Sequence, residues 1–297
     1  MLHGRAPVTS SRVDRPDTLK FLGTAGARFV VSTQLRHSGG LFWTLRGTRI
    51  WVDPGPGALV RALSSRPKID PSGTDVLVVT HRHLDHAGDA TTVVEAMSRG
   101  GFAPRGTLLA PRDTLESDPP VQRYAQAFVA RRAFLEEGSR HELGPGVVLE
   151  TPLAHDHGVE TYGYRLSAPG FVAGHVVDGF WLDRLVEAYA GVDLLLVNTT
   201  LLEGRDRRTL HLGADDAEIL VREIRPRLAV LTHFGMRMLR AGPERVALGI
   251  SERTGVPTAA ARDGWLLSLD PLPAPSREGA TRGRAPAPDH EGPGHSR

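Results

Sequence analysis

THRHLDHAGD, residues 80–89, sets three histidines and two aspartates within ten positions directly behind the apolar run DVLVV. A β-strand projects residues i and i+2 to one side, so His81 and His83 leave the strand's end together. If a helix starts around Ala87, Asp85 and His86 come round to face the same pocket. Imidazole nitrogen and carboxylate oxygen are the donors that a zinc-type ion accepts at ~2.0–2.2 Å. A single structural site needs one cluster with every position filled. Additional ligands suit two ions ~3.5–4 Å apart that share an activated water. The bland alternative is a solvated polar loop, and the strand in front and helical pattern behind weigh against it.

Composition narrows the chemistry. The 297 residues include no cysteine, so disulfides, thiolate catalysis and iron–sulfur ligation are excluded and any metal must rest on nitrogen and oxygen. No apolar run approaches the ~18–20 residues that span a bilayer. The opening MLHGRAPVTSSRVDRPD lacks the ~7–15-residue apolar core of a secretory signal, so a cytoplasmic location without membrane contact is expected. Net charge is +2, and Lys20 and Lys68 are the only lysines among 36 basic residues. Arginine is thus available for bidentate contacts with phosphate or carboxylate, although codon usage explains the bias equally simply. No polybasic block marks a nucleic-acid-binding tail.

Residues 1–16 read as a flexible leader, and the Pro/Gly-rich segment 271–297 as a disordered tail that discounts His290 and His295. Residues 17–270 form one domain with no linker long enough to divide it. Short β-branched runs recur within it: TLKFLG, ARFVVS, LFWTL, RIWVD, DVLVVT, TLLAP, VVLET, TYGYRL, FVAGHVV, DLLLVN, LAVLT and WLLSL. Helical spacing falls over Gly57 to Ser64, Ala87 to Met97, Val121 to Glu136, Trp181 to Tyr189, Asp215 to Ile224 and Pro243 to Thr254. Hairpins mixed with βα units indicate an α/β protein, in which ligands gather at the carboxyl ends of strands. Five expected strand ends carry suitable donors: Asp53, His81, His155, Asp178 and His233.

The motif His81-Arg-His83-Leu-Asp85-His86 resembles the signature of the metallo-β-lactamase superfamily of metal-dependent hydrolases. The resemblance extends over most of residues 17–270 through FLGTAGA, IWVDPGPG, LAHDHG, VVDGFW and VLTHFG, in that order. It implies a four-layer αβ/βα sandwich with two divalent metal ions at the shared edge of two sheets. Zinc is expected first, with manganese or iron as alternatives. By the same resemblance one metal sits on His81, His83 and His155, and a second on Asp85, His86 and His233, with Asp178 bridging. His157, two residues after His155, competes for its place and otherwise faces substrate. The family usually carries Asp-Thr where this chain has Asp178-Gly179, which leaves His175 as a rival to Asp178. Asp53 reads as a residue that orients a ligand histidine, or as a turn residue before Pro54-Gly55.

In such a centre the metals lower the pKa of a bound water toward ~7. Asp85 is the residue expected to orient the hydroxide. His211, in TLHLGADDAE, is placed to protonate the leaving group as a general acid, or else merely helps to start a helix. FLGTAGA and the HL-x-x-D-D stretch resemble the branch that contains ribonuclease Z and cyclic phosphodiesterases. Arg28, Arg36 and His37 follow the first strand, where phosphate oxygens could be met or where they simply face water. No long basic insertion comparable to the RNA-gripping arm of ribonuclease Z occurs. A phosphodiesterase on a small-molecule substrate is therefore expected ahead of a nuclease. A lactone, thioester or other carboxylic-ester hydrolase is the alternative, followed by a non-hydrolytic metal-binding protein or an iron-dependent oxygenase. The Val121 to Glu136 helix could lie beside the site or between the copies of a homodimer. His83→Ala should abolish both metal retention, read by elemental analysis, and activity; full activity in this variant would remove the metal argument.

Overall fold

Alternation within single strands builds the layers. In Thr48–Val52, Ile50 and Val52 turn to one side and Trp51 to the other, all fully buried. In Leu194–Asn198, Leu194 and Leu196 face that same central core, whereas Leu195 and Val197 face away from it. A strand buried on both faces needs a partner layer on each side.

A computed structural model of the chain describes residues 16–272 apart from 118 and 206. Residues 1–15 of the expected leader, and all but 271 and 272 of the expected tail, lie outside the described residues. One sheet comprises β1 (Thr18–Phe21), β2 (Leu41–Leu45), β3 (Thr48–Val52), β4 (Val76–Val78), β5 (Thr107–Ala110), β6 (Arg131–Phe134) and β14 (Leu266–Ser268). Its spatial order is β14-β1-β2-β3-β4-β5-β6. The second comprises β7 (Arg140–Gly144), β8 (Val147–Glu150), β9 (Tyr164–Ala168), β10 (Phe171–Val176), β11 (Leu194–Asn198), β12 (Leu228–Thr232) and β13 (Thr258–Ala260). These lie in the order β13-β12-β11-β10-β9-β8-β7. Trp43, Ile50 and Leu109 from the first sheet meet Leu149, Leu166, Leu196 and Val230 from the second in the central core.

Helices cover the outer faces. Trp51 and Leu77 pack under α2 (Ala58–Ser64) and α4 (Ala90–Ser98), through Ala62, Val93, Val94 and Met97. Leu195 and Leu231 pack under α7 (Ala214–Ile224) and α9 (Pro243–Thr254), through Leu220, Val221 and Ile250. The arrangement is the expected four-layer αβ/βα sandwich. Shorter helices are α1 (Ala27–Thr33), α3 (Leu84–Ala87), α5 (Arg112–Glu116), α6 (Leu185–Ala188) and α8 (Met236–Ala241). No helix among the described residues is long and apolar enough to cross a membrane.

Two expectations are corrected. ARFVVS is α1, not a strand: Val30 and Val31 are buried side by side against Ala25, Met236 and Leu239, and Gln34 closes the helix in the left-handed region. Packing on a neighbouring helix here overrides the strand preference of a β-branched pair. Val121 to Glu136 is not one helix: a 3₁₀ turn over Ala125–Phe128 is followed by β6, which pairs in parallel with β5. The open edge of β5 recruits Arg131–Phe134, and backbone pairing outweighs the helix propensity of the Ala/Arg-rich sequence. Both arginines on this outer strand are exposed, whereas the opposite edges of the sheets, β13 and β14, are three residues each.

β3, β4 and β5 run parallel in one sheet, and β10, β11 and β12 in the other. Their carboxyl ends therefore open at one edge of the sandwich. Leu196→Ala would leave a cavity in the central core and should cost about 2–5 kcal/mol of unfolding free energy, measured by urea titration. A loss below about 1 kcal/mol would mean the two sheets are not tightly packed there.

Candidate metal centre

The strand ends deliver the clustered side chains. After β4, Val79 and Thr80 are buried, His83 stands at the N-cap position of α3 without a side-chain capping bond, and α3, which starts at Leu84 and not around Ala87, carries Asp85 and His86. After β10 the chain presents Asp178, and after β12 it presents His233, whose backbone turns sharply at φ 60°. Asp53, after β3, turns likewise at φ 52°. These left-handed conformations divert the chain at the end of a strand and are tolerated by few residue types other than glycine. Gly26 packs directly on His233: a Cβ there would lie 2.2 Å from the His233 carbonyl oxygen. A glycine of the FLGTAGA segment thus serves close contact between loops.

Three sets of donor atoms converge, each within 4.8 Å: His81, His83 and His157; Asp85, His86, Asp178 and His233; and His157, Asp178 and His211. Asp178 Oδ2 lies between them, 3.9 Å from His81 Nε2, 3.3 Å from His86 Nε2, 3.6 Å from His157 Nε2 and 3.6 Å from His211 Nδ1. His83 Nδ1 is 3.1 Å from His157 Nε2, and His86 Nε2 is 2.9 Å from His233 Nε2 and 3.8 Å from Asp85 Oδ2. An ion with ~2.0–2.1 Å bonds spaces its tetrahedral ligands by roughly 3.3 Å, close to these separations.

Hydrogen bonds on the far side of four rings fix which nitrogen points inward. The Thr80 hydroxyl donates to Asp53 Oδ2 (2.7 Å), so its oxygen accepts from His81 Nδ1 (3.2 Å). His86 Nδ1 donates to Asp53 Oδ2 (3.0 Å), and His157 Nδ1 donates to the Leu210 carbonyl (2.9 Å). His233 Nδ1 meets Thr200 Oγ1 (2.9 Å) and Asp178 Oδ1 (3.2 Å). Each leaves Nε2 directed into the cluster. His81 Nε2 and Thr74 Oγ1 are the only buried side-chain N or O atoms without a hydrogen-bond partner among the described residues. An orphaned imidazole nitrogen beside a carboxylate suits a cation, and the donor set fits the divalent ions that the fold implies.

His155 takes a different part from the one expected. Its Nδ1 donates to the Asp178 carbonyl (3.2 Å) and its Nε2 accepts from Tyr189 Oη (3.1 Å), so neither nitrogen remains for an ion. His157, not His155, stands with His81 and His83 among the clustered donors, although the two histidines are equally buried. His175 is not beside the ligand atoms either; it contacts Tyr164 and Asn198. Arg28 is exposed on α1, and His37 is half-buried with its backbone N–H bound to Asp263 (2.9 Å); neither belongs to the clustered groups. His211 joins His157 and Asp178 at the rim. Sequence reasoning missed Asn198, Thr80, Thr200 and Tyr189. Asn198 carried a signal, since it ends a buried apolar strand as the histidines do.

The charges compensate one another. Burial depresses His81 well below its ordinary value, and His86 nearby adds to this. Burial also opposes charge on His86, but Asp178, Asp85 and Asp53 outweigh it and hold that imidazole well above its usual range. For Asp85 and Asp178, burial favours the acid, yet the surrounding histidines keep both carboxyls below the usual carboxylate range. Burial brings His155, His175 and His211 down to about 4.

A family model described as a β-lactamase superfamily domain matches residues 48–234. The chain is 31% identical over 255 residues to MJ1374, an uncharacterized protein of Methanocaldococcus jannaschii, covering 84% of this chain and 94% of that one. It is 28% identical, over 320 aligned positions, to ribonuclease Z of Kineococcus radiotolerans, covering 89% of this chain and 98% of the relative. YhfI of Bacillus subtilis, a metallo-β-lactamase fold protein, superposes with a TM-score of 0.69 at 15% identity, over 85% of this chain and 99% of that one.

The buried neutral histidines make acid stability a test of the geometry. In metal-free protein His175 stays neutral to about pH 4, whereas the unfolded chain protonates it near its ordinary 6.5. The stability it contributes is complete above that value and lost as pH falls toward 4, while raised His86 contributes no slope in this window. The urea midpoint measured with chelator should therefore drop between pH 6.5 and 4. A constant midpoint would contradict the burial described.

Proposed function

The chain belongs to the metallo-β-lactamase superfamily of hydrolases, and from that membership we propose that it is a dinuclear phosphodiesterase acting on a small anionic substrate. The observation that carries the reading is the position of Asp178 Oδ2 within 3.3–3.9 Å of nitrogens from both histidine sets. His81, His83 and His157 would hold one ion, and Asp85, His86 and His233 the other, with Asp178 between. Zinc suits these nitrogen and oxygen donors first, and manganese or iron can use the same set. When bound, such ions supply hydroxide near neutral pH and polarise the bond under attack.

The chain's own groups do the rest. Asp85, kept ionised by His86 and His233, accepts a hydrogen bond from the attacking water and orients it. His211 is neutral in the free protein because it is buried. A phosphodiester brings negative charge beside that ring, which favours the imidazolium form. The proton needed by the leaving oxygen is thus gained with the substrate, and His211 serves as general acid. A lactone or thioester brings no such charge, which ranks the carboxylic-ester alternative second. Likeness to ribonuclease Z along most of the chain supports an RNA substrate as another reading of the same chemistry.

Protein loaded with Zn²⁺ or Mn²⁺ should hydrolyse bis-p-nitrophenyl phosphate and lose the activity on chelation. His211→Ala should keep its metal content while turnover falls roughly 10²-fold or more. Turnover of lactones or thioesters with no phosphodiester cleavage would overturn the substrate class; cleavage confined to RNA would favour the nuclease.

A further inference from the structure

A line of five buried polar side chains runs from the central core to the candidate metal centre. Trp43 Nε1 donates to Tyr164 Oη (3.2 Å). Tyr164 Oη lies 3.3 Å from His175 Nδ1, and His175 Nε2 lies 2.9 Å from Asn198 Oδ1. Asn198 Nδ2 donates to Asp178 Oδ1 (2.9 Å). All five residues are at most 3% exposed, so water does not substitute for any link.

The two ends fix the polarity of everything between them. An indole N–H can only donate, and an ionised carboxylate can only accept. Tyr164 therefore accepts from Trp43 and turns its own O–H toward His175 Nδ1. His175 must carry its proton on Nε2, which donates to Asn198 Oδ1. The Asn198 amide is then oriented with its NH₂ toward Asp178. A reversal at any one link would set two donors or two acceptors face to face, at a cost of about 1–3 kcal/mol for each buried group left unpaired.

We propose that Tyr164, His175 and Asn198 are positioning residues that hold Asp178 in one rotamer, committing Oδ1 to Asn198 so that Oδ2 is the oxygen offered to the clustered histidine nitrogens. The inference rests on reading Asp178 as the residue between two ions, but the polarity of the chain stands without any metal. Both oxygens are accounted for: Oδ1 meets Asn198 and His233 Nδ1, and Oδ2 faces His81, His86, His157 and His211. His175, which the sequence offered as a rival for the bridging position, instead acts on Asp178 through Asn198.

Two measurements test this. ¹⁵N-histidine NMR of the metal-free protein reads the tautomer directly: His175 should be protonated on Nε2, and Tyr164→Phe should shift it toward the Nδ1-protonated form. Competition with a chromophoric chelator reads metal affinity. Asn198→Leu is close in size but cannot donate to Asp178, and should weaken Zn²⁺ binding about 10–100-fold, as loss of an outer hydrogen bond does elsewhere. His175→Leu should weaken it comparably, whereas His175→Gln, which keeps one acceptor and one donor, should restore part of the loss. A fold defect alone lowers thermal stability in all these variants without producing this ranking. His175 protonated on Nδ1 in the wild type, or Zn²⁺ bound as tightly by Asn198→Leu and His175→Leu as by wild type, would overturn the proposal. Wild-type protein that binds no Zn²⁺ at all would defeat the functional reading, and the tautomer would still decide the chain.

Discussion

An imidazole has two nitrogens, and burying the ring strands whichever one finds no partner. That constraint organises the whole centre. Each of His81, His86, His155, His157, His175 and His233 has one nitrogen bound to a protein group that is not itself a clustered donor. What differs between them is the other nitrogen. In His155 and His175 it is consumed by Tyr189 or by Tyr164, and the ring becomes a strut. In His81 it is left bare, and the ring becomes a candidate ligand. Ligand and support are thus separated by hydrogen-bond bookkeeping, although residue type and burial are alike.

Strand polarity makes the convergence possible. Asp53 and His81 come from neighbouring parallel strands of one sheet, and Asp178, Asn198 and His233 from three consecutive parallel strands of the other. Parallel strands end together, so residues far apart in sequence reach one edge without long loops. The helices on the outer faces fill the remaining apolar surface and leave that edge open. His157 and His211, which arrive on loops, are themselves joined by the chain: the Leu210 carbonyl that holds His157 belongs to the residue before His211.

Much of this was legible in the sequence because it depends on local periodicity. The i, i+2 spacing of His81 and His83 and the turn into α3 are properties of a few adjacent residues. So is the alternation in RIWVD and DLLLVN that requires layers on both faces. Assignments that depend on tertiary contact were not legible. Val30 and Val31 look like strand until Met236 and Leu239 supply a helical partner, and Arg131–Phe134 looks helical until the edge of β5 is available. The choice between His155 and His157 turns on Tyr189 lying near enough to take a ring nitrogen, which nothing in LAHDHG encodes.

The outer strand β6 has a consequence for how copies of the molecule meet. A strand at the rim of a sheet leaves backbone donors and acceptors unpaired, ready to template the addition of another chain. Here that rim carries Arg131 and Arg132, both facing water. A second copy aligning along it in parallel register would stack guanidinium against guanidinium, a like-charge contact that opposes pairing. The two arginines therefore oppose pairing of this edge with its counterpart in a second copy in that register.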